Sequence, residues 1–314
     1  MQKTAPITLL LPIRNGQDFV AGAISSLSSN CRPEDEILII NDNSTDNSLA
    51  LLRNWSERNS NVRILNNPGR GLVSALNYGL SVATFDWIAR FDVDDKYDSN
   101  RVMETKKYIQ RDTVCIFSDY KFTTKDGRSL GYMPTAIDEN KTYLSLITSQ
   151  RTAHPSVCFN KTAAIEVGGY IEEDFPAEDL SLWLRMSKCG KIISIPNPFL
   201  KYRISSSSVS GNLRYKSLEK KELLLSSFNF LPGAVEKGLA ELEESRIFYS
   251  NFTYSQHRYL LHLRDLALIC HAMSSPDSSA LKLIKHKIYR EFNNYPPAAS
   301  LYTQMLLRKI YRKL

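Results

Sequence analysis

Three carboxylates, Asp92, Asp94 and Asp95, fall within four residues directly after the apolar run Trp87-Ile88-Ala89-Arg90-Phe91. Carboxylates this close repel one another and raise each other's pKa unless a cation neutralises them. Hard divalent ions take oxygen ligands, and Mg2+ in particular combines one or two carboxylates with substrate phosphates. The chemistry expected of the run is a metal shared with a diphosphate. The plainer reading is a solvated acidic turn capping a helix that starts near Asp98 and Ser99. Neighbouring segments separate the two readings, because polar residues also close three other apolar runs. Arg14-Asn15-Gly16 follows the first, Asn41-Asp42-Asn43-Ser44 the second, and Asn67-Pro68-Gly69-Arg70-Gly71 the third. A further acidic pair, Glu178-Asp179, precedes a helical stretch, where the helix dipole alone would favour first-turn acids.

The elements that must position these residues alternate along the first hundred positions. Ile7 to Ile13 is a continuous apolar run, as expected of a strand buried on both faces. Val20, Ile24 and Leu27 recur at helical spacing. Glu36 to Ile40 reads as a second strand, and Thr45 or Asp46 as the cap of a helix carrying Leu49, Leu52 and Trp55. Val62 to Leu65 is a third strand, Gly71 to Val82 a helix, and Asp86 to Phe91 a fourth strand. Such alternation predicts βαβ units and a mostly parallel sheet. Ligands of such sheets bind beyond the carboxyl ends of the strands, where the polar residues sit. Further on, Val114 to Tyr120 and Ser156 to Phe159 read as strands, Lys125 to Arg128 as a turn, and Leu180 to Met186 as a helix. From Leu213 helical periodicity takes over, so a boundary is placed at Ser205 to Asn212. The expected domains are residues 1–210 and a helical extension, 211–314.

Composition excludes several classes. With 314 residues, 43% hydrophobic and 23% charged, the chain is of ordinary globular type. Its net charge of +7 favours anionic partners. The five cysteines include no Cys-x-x-Cys pair, so neither a zinc site nor a disulfide framework is expected, and a reducing compartment fits. No stretch approaches the roughly 20 apolar residues that cross a bilayer, and the expected location is cytoplasmic. No Gly-x-Gly-x-x-Gly follows the first strand and no P-loop motif occurs, which removes the usual support for dinucleotide oxidoreductases and P-loop enzymes.

In this order the motifs resemble the family-2 glycosyltransferases of the GT-A fold, over roughly residues 5 to 210. Pro12-Ile13-Arg14-Asn15 resembles the family's opening Pro-x-x-Asn. Asn41 to Asp46 is similar to its Asp-Asp-Gly-Ser-Thr-Asp, with Asn41 and Asn43 as departures. Gly71 to Gly79 resembles the Gly-x-x-x-Ala-x-Asn-x-Gly helix, and Asp92-Val93-Asp94-Asp95 the Asp-x-Asp-Asp metal motif. Gly168-Gly169-Tyr170 with Glu178 to Arg185 resembles the acceptor-side block, and Tyr202-Arg203 the family's closing Tyr-Arg. The resemblance implies a GT-A, Rossmann-like mixed sheet, mostly parallel and flanked by helices. It implies a donor site of Pro12, Arg14, Asn15, Asp42, Arg70, Asn77, Asp92 and Arg203. Asp42 would bond the base, Asp92 the ribose or sugar, and Asp94 would ligate Mn2+ or Mg2+ on the diphosphate, with Asp92 beside it. An acceptor hydroxyl must lose its proton as it attacks, so a carboxylate base is required. Asp179 is assigned that role, with Glu178 the alternative. His154, in His154-Pro155-Ser156, is a candidate for diphosphate or acceptor contact. Many members carry a metal-reaching His after the Tyr-Arg; Ser205 stands there in this chain.

The expected activity is inverting transfer from a nucleotide-sugar, a UDP-sugar first, to a saccharide or lipid-linked saccharide. A sugar-phosphate nucleotidyltransferase is the competing enzyme class, but it usually opens on a Gly-rich basic loop that Pro12 to Gly16 lacks. Nucleic-acid binding is not expected, because the candidate cleft is acidic and the positive charge is concentrated at the end of the chain. Residues 282–314 carry eight Lys and Arg against Glu291 alone, with Leu306, Leu307, Ile310 and Tyr311 interspersed. That pattern fits either an anchor on an anionic membrane surface, placing the protein at the inner face of the membrane, or a helix packed on the catalytic domain.

Overall fold

The computed structural model describes residues 5–124, 126–133 and 152–204, with Lys216, Lys220 and Leu224 beyond them. Two compact units divide the chain, Met1–Thr142 with Arg151–Ser217 and Tyr143–Gln150 with Leu218–Leu314. The first is described below. The expected boundary at Ser205 to Asn212, the basic tail and all of the helical extension but those three residues lie outside the described residues.

The four leading apolar runs form β1 (Thr8–Ile13), β2 (Glu36–Asn41), β3 (Val62–Asn66) and β4 (Trp87–Arg90). Every residue of β1, β2 and β4 is buried, which is why they show no alternation. Between them run α1 (Val20–Asn30), α2 (Ser48–Ser56) and α3 (Leu72–Val82). One face of the sheet packs Ile7, Leu9, Leu11 and Ile13 with Val20, Ala23 and Leu27 of α1. Each of the Ile, Leu and Val side chains contributes roughly 1.5–3 kcal/mol on burial, and Ala23 less. The helix α3 lies so close to the sheet that a Cβ on Gly79 would stand 2.6 Å from Leu10 Cδ1.

The rest of the described chain adds β5 (Lys96–Tyr97), α4 (Arg101–Lys106), β6 (Thr113–Thr123) and β7 (Ser129–Met133). After these come β8 (Cys158–Asn160), α5 (Lys161–Glu166), α6 (Glu178–Met186) and β9 (Lys191–Arg203). All nine strands share one sheet, in the order β3-β2-β1-β4-β8-β6-β9-β5, with β7 paired to β6. The β3-β2-β1-β4 half is parallel throughout. The other half is mixed: β8 runs antiparallel to β4 and β6, and β6 runs parallel to β9. Strand order therefore turns back between β1 and β4, and the crevice outside such a switch point is where open α/β sheets bind ligands.

Several local expectations shift. Ser156 sits in a 3-10 turn, His154–Ser156, with Pro155 in its first turn, and the strand starts only at Cys158. The helix α2 begins at Ser48, and Asp46 serves it from outside by accepting the Ser48 N–H at 3.0 Å. The helix expected from near Asp98 and Ser99 begins at Arg101 with Asn100 at its cap, and β5 separates it from the acidic run. With Asp95 buried and Asp92 and Asp94 half-buried, that run is neither a solvated turn nor the cap of α4. Among the described residues no helix is long and apolar enough to cross a membrane.

Candidate functional site

The loops after β1 and β2 are stapled together by their own polar residues. Asn15 and Asn43 hold φ of 52° and 55°, a left-handed conformation that asparagine tolerates better than most residues. The Asn15 N–H donates to Ser44 Oγ at 3.1 Å, and its side-chain oxygen accepts from the Thr45 N–H at 2.8 Å. Gly16 N–H donates to Ser48 Oγ at 2.9 Å. Most of the polar stretch after β2 thus shapes the crevice rather than lining it, and Asn15 belongs to that frame.

Asp42 occupies the centre of this region and is only 5% exposed. Its carboxylate accepts from Asn67 Nδ2 at 2.8 Å and from the Gly71 N–H at 3.0 and 3.1 Å. Arg14 Nη1 stands 3.9 Å away on an exposed side chain. A carboxylate has about four acceptor positions, so Asp42 can take a further N–H while tying the β2 and β3 loops. Pro12 is buried within β1, whereas Arg14 and Arg70 are exposed. Asn67, named in the sequence only as the start of the polar stretch after the third apolar run, also accepts from the Gly69 N–H at 3.1 Å and Ser74 Oγ at 3.0 Å and so ties that stretch together.

The three acids after β4 are not equivalent. Asp92 pairs with Arg90 Nη2 at 2.8 Å, and its own N–H donates to Tyr97 Oη at 2.7 Å. Asp95 is 3% exposed and accepts the Arg203 N–H at 2.7 Å. Burial first, then the charges of Asp92 and Asp94, hold the Asp95 carboxyl well above its ordinary range. Burial and the Asp92 charge lift Asp94 to about 6, although Arg203 and Arg90 pull it down. Val93, between them, packs where a Cβ on Gly16 would otherwise stand, 3.0 Å from its Cγ1. The β1 and β4 loops are therefore in direct contact at the switch point.

Two buried arginines support this loop. Arg90 donates to the Phe91 carbonyl as well as to Asp92, and Arg101 donates to Arg90 O at 2.8 Å and Val157 O at 3.1 Å. The Arg101 guanidinium lies over the Phe91 and Tyr97 rings at 4.6 and 4.8 Å. Neither arginine was singled out in advance, yet Arg90 in an otherwise apolar strand was a visible signal. Arg203 reaches the site from the end of β9, its guanidinium 4.7 Å from the Phe19 ring centroid.

The acceptor-side motif folds around a tight turn. Gly168 and Gly169 hold φ of 92° and 65°, and Arg185 of α6 clamps the turn by donating to the Val167 carbonyl and, at 2.7 Å, to Gly169 O. Asn77 of α3 bonds both backbone groups of Tyr170, donating to its carbonyl at 2.8 Å and accepting its N–H at 2.9 Å. Asn77 therefore stands as a tie behind this turn. Glu178 is buried and Asp179 half-buried at the start of α6, where Asp179 accepts the Leu180 N–H at 2.7 Å. His154 Nε2 lies 2.9 Å from Tyr170 Oη. Burial, with the Arg90 charge adding to it, keeps the His154 imidazole well below its ordinary pKa and hence neutral. That environment suits an internal partner of Tyr170 better than a diphosphate contact.

Among the described residues no group of three or more His, Cys, Asp or Glu is arranged to hold a metal by itself. Asp92 and Asp94 nevertheless fit a hard divalent ion that completes its shell with phosphates, since Asp94 carries a carboxylate whose charge lacks full compensation.

A match to the model of glycosyl transferase family 2 covers residues 8–168, about half of the chain. The chain belongs to glycosyl transferase family 2. It is 26% identical over 189 residues to a chondroitin synthase of Pasteurella multocida, covering 59% of this chain and 19% of that protein; it thus spans about a fifth of that relative. It is 25% identical over 250 residues, 77% of this chain and 90% of the relative, to UDP-Glc:alpha-D-GlcNAc-diphosphoundecaprenol beta-1,3-glucosyltransferase WfgD of Escherichia coli. The fold is that of S. aureus TarS 1-349 in complex with UDP-GlcNAc, at a TM-score of 0.64 and 15% identity, over 98% of this chain and 92% of TarS. The family match holds the whole crevice from β1 to the Asp92 loop and ends at Gly168, before Glu178 and Asp179.

Proposed function

We propose that the chain is an inverting glycosyltransferase that moves a sugar from a UDP-sugar to a hydroxyl of a saccharide or lipid-linked saccharide, using Mn2+ or Mg2+. Residues 1–210 would form the catalytic domain and 211–314 its extension. The observation that carries this reading is the placement, at the carboxyl ends of one parallel half-sheet, of Asp42, bonded by Asn67 and the Gly71 N–H after β2, and of the Asp92 loop, packed through Val93 on Gly16 of the β1 loop, in a chain of this family. Asp42, with Arg14 and Arg70 at its rim, is assigned to the nucleotide. Asp92 and Asp94 would hold the metal, which when bound neutralises the departing diphosphate. Asp92, held by Arg90, is also assigned to the ribose or sugar. Asp179 takes the proton from the attacking hydroxyl, and attack opposite the leaving group inverts the anomeric carbon. The names of WfgD, which acts on UDP-Glc and a lipid diphosphate acceptor, and of the UDP-GlcNAc complex of TarS support the donor and acceptor classes.

A panel of nucleotide-sugars, with Mn2+, Mg2+ or chelator, scored by nucleoside diphosphate release, tests this reading. Release from a UDP-sugar that needs metal is expected, and full release in chelator would remove the metal. Asp179→Asn is expected to abolish turnover while leaving UDP binding intact; lost binding would take Asp179 out of the base role. The basic tail, residues 282–314, is assigned to an anionic membrane surface at the inner face of the cell membrane. Flotation with phosphatidylglycerol liposomes should decline when residues 297–314 are removed, and equal flotation would refute the anchor.

A further inference from the structure

We propose that Tyr170 and His154 form a positioning pair that sets the Glu178–Asp179 end of α6 against the Asp92 loop. The proposal rests on the reading of Asp179 as the base. Tyr170 is fixed from three directions. Asn77 bonds its backbone on both sides, from a helix 93 residues away in sequence. Arg185 holds the carbonyl of the preceding Gly169 at 2.7 Å. His154 holds its hydroxyl at 2.9 Å, and Tyr170 is only 2% exposed.

The rings pass this placement on to α6. His154 and Tyr170 lie 5.8 and 6.4 Å from Trp183, which sits about one turn inside the helix that Glu178 and Asp179 open. Trp183 is fully buried and also meets Phe117 and Phe159 at 5.7 and 5.3 Å. On the donor side Arg90 holds Asp92, and its charge acts on both His154 and Tyr170. Packing alone could be met by Phe and Leu here. The buried Tyr170 hydroxyl and the half-buried His154 imidazole give up water contacts that their mutual bond offsets. Among the described residues, the two buried side-chain N–H groups without a partner are Arg90 Nε and Trp183 Nε1, the second on the ring that both members of the pair meet. A fold that keeps uncompensated donors around a bonded polar pair is tolerating instability for geometry. The geometry at stake is the separation between donor and base, where a displacement of about 1 Å can reduce turnover about a hundredfold.

The test uses the full chain, UDP-glucose and UDP-N-acetylglucosamine with Mn2+, and water as acceptor, read as nucleoside diphosphate release. Tyr170→Phe removes only the hydroxyl, and His154→Leu removes its partner. Each is expected to lower kcat by between roughly tenfold and a hundredfold with donor KM within about twofold. The double variant should be no worse than the poorer single, because one bond is lost in all three. His154→Gln, whose amide reaches toward the place of Nε2, should recover most of the turnover. Wild-type kcat in Tyr170→Phe, a KM that rises as kcat falls, or losses that multiply would each overturn the pair. Failure of the underlying reading looks different: no release from the wild-type chain, or undiminished release from Asp179→Asn.

Discussion

Asp94→Asn should make the metal-free protein more stable while removing its metal response. The folded-state carboxyl is lifted from 3.8 to about 6, by burial first and the Asp92 charge second. A raised carboxyl favours folding below its unfolded pKa, and that contribution is lost as pH rises from about 4 through about 6. At 1.36 kcal/mol per unit, ionising Asp94 costs the native state about 3 kcal/mol at pH 7.5 and about 1 kcal/mol at pH 4.5. Asparagine keeps the shape and never ionises. In chelator at pH 7.5 the variant should therefore melt about 6–12 °C above the wild type, at about 2–4 °C per kcal/mol for a domain of this size. At pH 4.5 the gap should shrink to a few degrees. With Mn2+ and UDP the order should reverse, because the wild type binds and gains stability while the variant does not. Differential scanning calorimetry in the two buffers, with and without metal, provides the comparison. A variant less stable than wild type at pH 7.5 in chelator, or stabilised equally at both pH values, would refute the idea that uncompensated charge is stored at Asp94.

Other parts of the frame give separate expectations. Gly169→Ala forces a side chain onto a φ of 65° and places its Cβ 2.7 Å from Asn77 Oδ1, an atom already fixed by the Tyr170 N–H. A loss of about 1–3 kcal/mol in urea unfolding is expected, and an unchanged midpoint would show that the turn adjusts freely. Glu36 is 5% exposed; burial alone would raise its carboxyl, but bonds from Thr8, Thr84 and Arg63 outweigh it and lower the pKa. Its stabilisation is therefore complete above its unfolded value near 4.3 and is lost as pH falls through the lower folded value. Glu36→Gln should flatten that acid limb in urea titrations between about pH 3 and 5; a limb as steep as the wild type's would place the acid lability elsewhere.

β1 and β2 were legible because burial on both faces writes itself as unbroken apolar runs, from Leu9 to Ile13 and from Ile37 to Ile40. Their ends were legible because turn residues follow at once. β9 was not, since Pro196 and Pro198 break its pattern; the sheet absorbs them with irregular register opposite Ser118 and Asp119. β5 is two residues long and exists only through its pairing with β9, which no local window contains. α5 was missed although Asn160 caps it by accepting the Ala163 N–H at 2.8 Å, because six residues carry too little periodicity.

At the site, residue types were readable but their division of labour was not. Asp92, Asp94 and Asp95 look interchangeable in sequence. They are separated by partners from distant segments: Arg90 for the first and the Arg203 backbone for the third. Asp95 is buried and its carboxyl held high, whereas the half-buried Asp94 is the raised acid that an incoming cation can reach. Asn77 shows the reverse case, a motif residue whose amide nitrogen and oxygen both bond a turn 93 residues away. A side chain's type limits what it can bond, whereas long-range contacts decide what remains free to bind. That is why the crevice was recognisable from four strand ends, while the roles within it required the partners of each carboxylate.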